Sequence, residues 1–159
     1  MRKVMALLAT LAVGGGVTVA VTASQAGASS EFTLVSRDTN LEFVTAAGGT
    51  STALPTSFVP GDRFVSRSDL TENGAPVGYV IGQCTATFNS QYLCEFIFAL
   101  TNRGDLQTTA LVRPGPPPGI PLVTDSIVDG GTFAFHNAHG SAHAVRMPNN
   151  DTATTFAIG

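Results

Sequence analysis

The sequence has no tryptophan, and its only lysine is Lys3. From Ser29 onward the basic side chains are six arginines against eleven acidic residues, a net charge of −5. Nucleic-acid binding needs clustered positive charge to displace counterions from the phosphates. That charge is missing, and aromatics at 8% offer no obvious platform on which bases stack. Nucleic acid is therefore excluded as a partner. With only two cysteines, a zinc centre built on several sulfurs is excluded too. Helical periodicity is absent, and so is any internal repeat.

Long apolar runs are scarce, and the clear one opens the chain. Arg2 and Lys3 precede the apolar stretch from Val4 to Val21, and Ala26-Gly27-Ala28 supplies a small-x-small pattern before Ser29. This is the layout of a secretory signal, so residues 1–28 are read as a signal peptide and 29–159 as a single domain. A retained single-span anchor is the alternative, weakened by Gly14, Gly15 and Gly16 in the middle of the stretch. No membrane attachment is expected after cleavage, and the product is expected outside the cell.

The rest reads as β structure. Short β-prone runs alternate with turn signals about every ten residues, as in sandwiches and barrels. Strands are expected over 32–35, 41–45, 63–70, 78–87, 92–101, 105–112, 122–128 and 132–147. The Ala46 to Thr52 stretch between the second and third reads as a flexible loop. Asn73-Gly74, Asn102-Arg103-Gly104 and Asp129-Gly130-Gly131 mark turns. The Pro114 to Pro121 segment cannot pair in a sheet and reads as a stiff exposed loop. Cys84 and Cys94 flank Asn89-Ser90 symmetrically, so a hairpin folded there sets them opposite each other. A cross-strand disulfide is the favoured reading, with a pair of buried free thiols as the alternative. Arg103-Gly104-Asp105 spells an adhesion tripeptide, and Asn150-Asp151-Thr152 spells a glycosylation sequon. The first is equally good turn chemistry, and neither is given a role.

Near the end of the chain, Gly130-Gly131-Thr132-Phe133-Ala134-Phe135-His136-Asn137-Ala138-His139-Gly140 resembles the Gly-Gly-Thr-x-x-Phe-x-x-Ala-Arg-Gly strand of dirigent proteins and allene oxide cyclases. Pro60-Gly61-Asp62, Val77-Gly78 to Cys84 and the Phe96 to Leu100 run are similar in order to the earlier strands of that family. The resemblance spans about residues 58–145. It implies an all-β fold, an eight-stranded antiparallel β-barrel with an apolar lumen, often trimeric, that steers ring closure or radical coupling of small apolar substrates. It also places Val35 and Arg37 where the family keeps polar first-strand groups, and Ser68 near a second such position. His139 stands where the family motif has arginine.

Strand alternation puts Phe133, Phe135, Asn137, His139, Ser141 and His143 on one face, which is expected to line a ligand pocket. His139 and His143 are weak candidates for proton transfer, because imidazole titrates near neutral pH. Asp129, with Asp125, is placed to orient them, or simply to cap a turn. A metal site at His136, His139 and His143 is not expected, because His136 falls on the other face. That other face carries Ala134, Ala138, Ala142 and Ala144, which, if outward, would suit packing between subunits in a homodimer or trimer. No cofactor is implied. The leading function is binding or templating of a small apolar molecule in the lumen. A cyclase or isomerase of the allene oxide cyclase type is the alternative, and a structural or partner-binding extracellular protein is the third reading.

Overall fold

In the computed structural model, residues 30–53, 57–113 and 123–159 are described. The expected signal peptide and the proline-rich segment lie outside the described residues.

Nine antiparallel strands form one sheet: β1 (Ser30–Val44), β2 (Thr50–Ser51), β3 (Arg63–Glu72), β4 (Ala75–Ala86), β5 (Tyr92–Leu100), β6 (Gly104–Val112), β7 (Val123–Gly131), β8 (Gly140–Arg146) and β9 (Thr152–Ile158). Neighbours follow chain order, and β1 also pairs with β9, which closes the sheet into an eight-stranded barrel. The two-residue β2 is an appendage that pairs with the end of β1 at Phe43 and Val44. The only helical elements among the described residues are single 3-10 turns at Phe88–Ser90 and Phe133–Phe135. Closure removes the free edges that an open sheet would leave as templates for aggregation.

Strand boundaries depart from the sequence expectation at both ends of the chain. The runs expected at 32–35 and 41–45 are one strand, β1, interrupted by a bulge where the register shifts between Asp38 and Asn40. The strand expected over 132–147 is broken by the 3-10 turn and resumes only at Gly140. The eighth barrel strand is instead β9, which fills the gap between β8 and β1. The Ala46 to Thr52 stretch contains a turn and the short β2 pairing.

The break in the expected last strand has a steric cause. A Cβ at Gly131 would lie 2.4 Å from the Asp105 carbonyl oxygen and 2.5 Å from Phe135 Cβ. The bare backbone at Gly131 lets the 3-10 turn fold back over the barrel end. It also lets Phe135 enter, where it is buried beside Phe32 at a ring separation of 6.1 Å. Arg103 covers this end, its guanidinium 4.8 Å from the Phe32 ring centre and 5.3 Å from that of Phe135. The same guanidinium donates to both oxygens of Glu72, at 2.9 and 3.1 Å. The Arg-Gly-Asp tripeptide thus sits in a hairpin turn with its arginine engaged.

Apolar side chains fill the barrel at this end. Leu34, Leu70, Leu100, Leu106, Phe156 and Ile158 belong to one buried cluster with Phe98 and Phe135. Phe156 is wholly buried, with its ring 4.9 Å from Phe32 and 5.0 Å edge-on from Phe98. Toward the opposite end, which carries the β4–β5 and β8–β9 connections, inward positions turn polar or small and the barrel is hollow. One end is a plug, and the other is a lumen.

Candidate functional site in the lumen

The cavity has a volume of about 370 Å³ and lies toward the unplugged end. Its lining follows from strand alternation: Phe64, Ser66 and Ser68 from β3, Val80, Gly82 and Cys84 from β4, and so on around the ring. Cys84 and Cys94 are register partners, joined by a disulfide with their Cα atoms 4.0 Å apart. Both are buried and form part of the lumen wall. Gly82 leaves room for its cross-strand partner, since a Cβ there would fall 2.8 Å from the Phe96 ring and 2.9 Å from Ser66 Oγ.

Among the polar groups that line this cavity, Asp38, Ser68 and Arg146 are bonded into one cluster. The bulge in β1 is held by Thr39, whose hydroxyl donates to the Arg67 carbonyl at 2.9 Å. Just before the bulge, Asp38 lines the cavity at its open side, with its side chain half exposed. Its Oδ1 accepts from the Ser68 hydroxyl at 2.8 Å, and its Oδ2 accepts from Arg146 Nη1 at 3.1 Å. Bulges commonly re-aim a side chain beside a functional site. Ser68 comes from β3 and Arg146 from the end of β8, so the cluster spans the ring on both sides of β1. A carboxylate bonded to a hydroxyl and a guanidinium at the edge of an apolar cavity is equipped to accept or orient a proton.

Two further carboxylates brace the mouth without facing the cavity. Asp62 accepts from the backbone N–H groups of Ala46 and Val59, at 2.8 and 2.9 Å, tying down the β1–β3 connection. The Val59 bond, then the Ala46 bond, holds this carboxyl below the usual aspartate range. Burial, with the charge of Asp62, raises the Tyr92 phenol. Asp151 takes a two-pronged bond from Arg37, 3.1 Å at each oxygen, and that bond chiefly holds its carboxyl low. Its backbone N–H donates to Asn149 Oδ1 at 3.2 Å. The sequon at Asn150 thus lies in a braced turn between β8 and β9.

The residues proposed from sequence lie elsewhere. Phe133 is 87% exposed, outside the barrel, at a φ of +50° in the 3-10 turn. Phe135 belongs to the plug, not to the cavity lining. Asn137 and His139 are exposed in the connection, where His139 Nδ1 contacts the Asn137 carbonyl at 3.2 Å. Ser141 and His143 are exposed on the outer face of β8. His143 Nδ1 meets its register partner Asp125 at 2.6 Å, so the expected aspartate–histidine contact forms, but on the outside. Asp129 is bulged out of β7 and accepts from the Thr109 hydroxyl. His136 is also exposed, and no group of three or more His, Cys, Asp or Glu side chains converges among the described residues. The correction has one cause. The 3-10 turn and the restart at Gly140 set the phase of β8 so that its even positions face inward. Ala142 is buried, and Ala144 and Arg146 line the lumen; of the alanine face expected to meet another subunit, Ala138, Ala142 and Ala144 turn inward and Ala134 alone is exposed.

The same parity explains the first strand. The placement that resemblance gave to Val35 and Arg37 is off by one, because Ser36 and Asp38 face the lumen while Arg37 points out to Asp151. A one-residue slip exchanges the faces of a strand. Ser68, by contrast, lines the cavity. Arg146 carried no signal except its spacing of two from Ala144 and Ala142.

The described strands thus form a closed antiparallel barrel of eight, plugged at one end and hollow at the other. Among solved structures the chain is similar to a pyocyanin demethylase, with a TM-score of 0.64 and 19% identity over 82% of this chain and 100% of that one. A pterocarpan synthase dirigent protein aligns with a TM-score of 0.48 and 17% identity over 90% of this chain and 94% of that one. At 19% identity, the first likeness is one of fold. No family model matches the sequence, and no curated protein does.

Proposed function

We propose that this chain is a secreted barrel that binds a small, largely apolar molecule in its lumen. The observation that carries the reading is the open cavity of about 370 Å³ walled by Phe64, Val80, Phe96, Phe98 and the disulfide. That volume lies within the roughly 300 to 1,000 Å³ of small-molecule sites. A structural protein would gain stability by filling this space with side chains, so the hollow end speaks against a purely structural role. The disulfide suits an oxidising compartment and supports export.

A second reading, cyclisation or isomerisation of the bound molecule, is favoured by the convergence of Asp38, Ser68 and Arg146 on the same cavity. Such chemistry needs a substrate held in one geometry, shielded from water, beside a group that can move a proton. The test is to purify the protein from the culture medium and extract it for mass spectrometry. A stoichiometric apolar molecule supports lumen binding. Its conversion on incubation, abolished by Asp38→Asn while binding persists, supports the enzymatic reading. A protein that carries nothing and takes up no apolar probe would refute both.

A further inference from the structure

Resting on the reading of the lumen as a ligand site, we infer that its ligand is a neutral, oxygenated polycyclic aromatic molecule that lays ring surface against β4–β5 and a row of oxygens against β8, β9 and β1.

The two walls differ in kind. Every cavity-lining residue of β4 and β5, namely Val80, Gly82, Cys84, Cys94, Phe96 and Phe98, lacks a polar side-chain group other than the disulfide. In a ring ordered β1-β3-β4-β5-β6-β7-β8-β9, strands β4 and β5 stand opposite β8 and β9. There and on β1, the lining is Arg146, Thr152, Thr154, Ser36 and Asp38, with Ala144 and, past the bulge, Leu41 as the apolar members. Neighbouring β7 adds Thr124 and Ser126.

The polar wall belongs to the cavity, not to the packing of the core. Along β9 the inward series runs Ile158, Phe156, then Thr154 and Thr152. Along β1 it runs Leu34, then Ser36 and Asp38, and along β7 Val128, then Ser126 and Thr124. All three strands change from apolar to hydroxyl where the plug gives way to the cavity. Thr154 on the polar wall is 6% exposed and Thr108, on β6 beside the apolar wall, is 1% exposed, and neither hydroxyl has a protein partner at hydrogen-bond distance among the described residues. Among the described residues no buried side-chain oxygen is nonetheless sealed off without a partner, so these hydroxyls open on the lumen. A wholly apolar ligand would strip their water and give nothing back, leaving each hydroxyl unpaired. A row of ligand oxygens would satisfy them.

The charge state follows from the lining. Among the described residues, Asp38 and Arg146 are the two charged residues on the cavity, and they are bonded to each other. No uncompensated charge is left to select a carboxylate or an ammonium group, so the polar edge of the ligand is built of hydroxyl or carbonyl oxygens.

The test uses the secreted protein and a matched pair of probes, anthraquinone and 1,8-dihydroxyanthraquinone, which carries three oxygens along one edge. Binding is read by probe absorbance and by calorimetry. The dihydroxy probe is expected to bind about tenfold tighter or more, the equivalent of one or two added hydrogen bonds. Thr154→Val with Ser126→Ala removes that preference, and Phe96→Leu weakens both probes together. Ser36→Ala serves as an independent polar-wall variant should the double variant misfold by circular dichroism. Equal affinity for the two probes, or a preference that survives the polar-wall variants, overturns the inference and leaves lumen binding standing. If neither probe binds and an apolar dye is also refused, lumen binding itself is overturned.

Discussion

Replacing Cys84 and Cys94 by alanine isolates what the disulfide contributes beyond the sheet that already holds it. The two residues are direct partners in a β4–β5 ladder that runs from Gly78↔Leu100 to Ala86↔Tyr92, so native pairing does not depend on the bond. Its effect lies in the unfolded chain, where joining residues with a sequence separation of 10 removes loop entropy worth ~2.5 to 3 kcal/mol at room temperature. Alanine leaves no buried hydroxyl behind, and the vacated space adjoins an existing cavity, which limits the added cavity cost. With a urea dependence of about 2 kcal/mol per molar, the double variant should unfold at a midpoint about 1.2 to 1.5 M lower. Far-ultraviolet circular dichroism across a urea titration measures this directly. A shift under about 0.5 M would mean that the unfolded hairpin already keeps these residues together, contradicting the entropic account. A loss above about 5 kcal/mol would mean that the ladder fails without the bond.

Because the Asp62 and Asp151 carboxyls are held low in the folded state, their contribution is present above the unfolded aspartate range and is lost as pH falls through their folded values. Urea midpoints should hold from neutrality down to about pH 4 and decline below it. Asp62→Asn with Asp151→Asn should flatten that decline, and an unaltered acid limb would refute the assignment. Gly131→Ala forces a methyl group into the Asp105 carbonyl and Phe135, and should destabilise by at least ~1 to 3 kcal/mol in thermal melts. Leu34 and Thr154 are register partners on either side of the boundary between plug and lumen. Leu34→Ala should cost ~2 to 5 kcal/mol and Thr154→Val less than about 1 kcal/mol, as read by chemical denaturation.

Much of the fold was legible because period-two patterning and turn chemistry act locally. The β3 to β6 meander could be placed within a few residues, since Asn73-Gly74 and Asn102-Arg103-Gly104 turn the chain where Asn73, Asn102 and Gly104 adopt positive φ. The cysteine spacing located a cross-strand pair for the same reason. The errors fell where local pattern competes with tertiary geometry. A bulge inside β1 made one strand read as two, because the polar Arg37 to Asn40 run looks like a turn when its pairing with β3 is unseen. β9, Thr152–Ile158, was passed over because its hydroxyl-rich inward face lacks the apolar alternation that announces a half-buried strand.

The site was harder to read than the fold because a lumen is defined by parity, and parity does not survive an unrecognised bulge or 3-10 turn. Phe135 enters the barrel from the 3-10 turn at an odd position, whereas β8 turns its even positions inward, so the histidines went out and Ala144 and Arg146 came in. Across the β1 bulge the inward series passes from Ser36 and Asp38 to Leu41 and Phe43. A reading that carries one phase through either point misplaces residues on its far side. Both irregularities lie beside the elements they control: the turn seals the plug with Phe135, and the bulge holds Asp38 at the cavity edge. The least regular backbone thus fixes where the barrel closes and where its polar groups meet. This is why the local rules that drew the barrel correctly could not also draw its site.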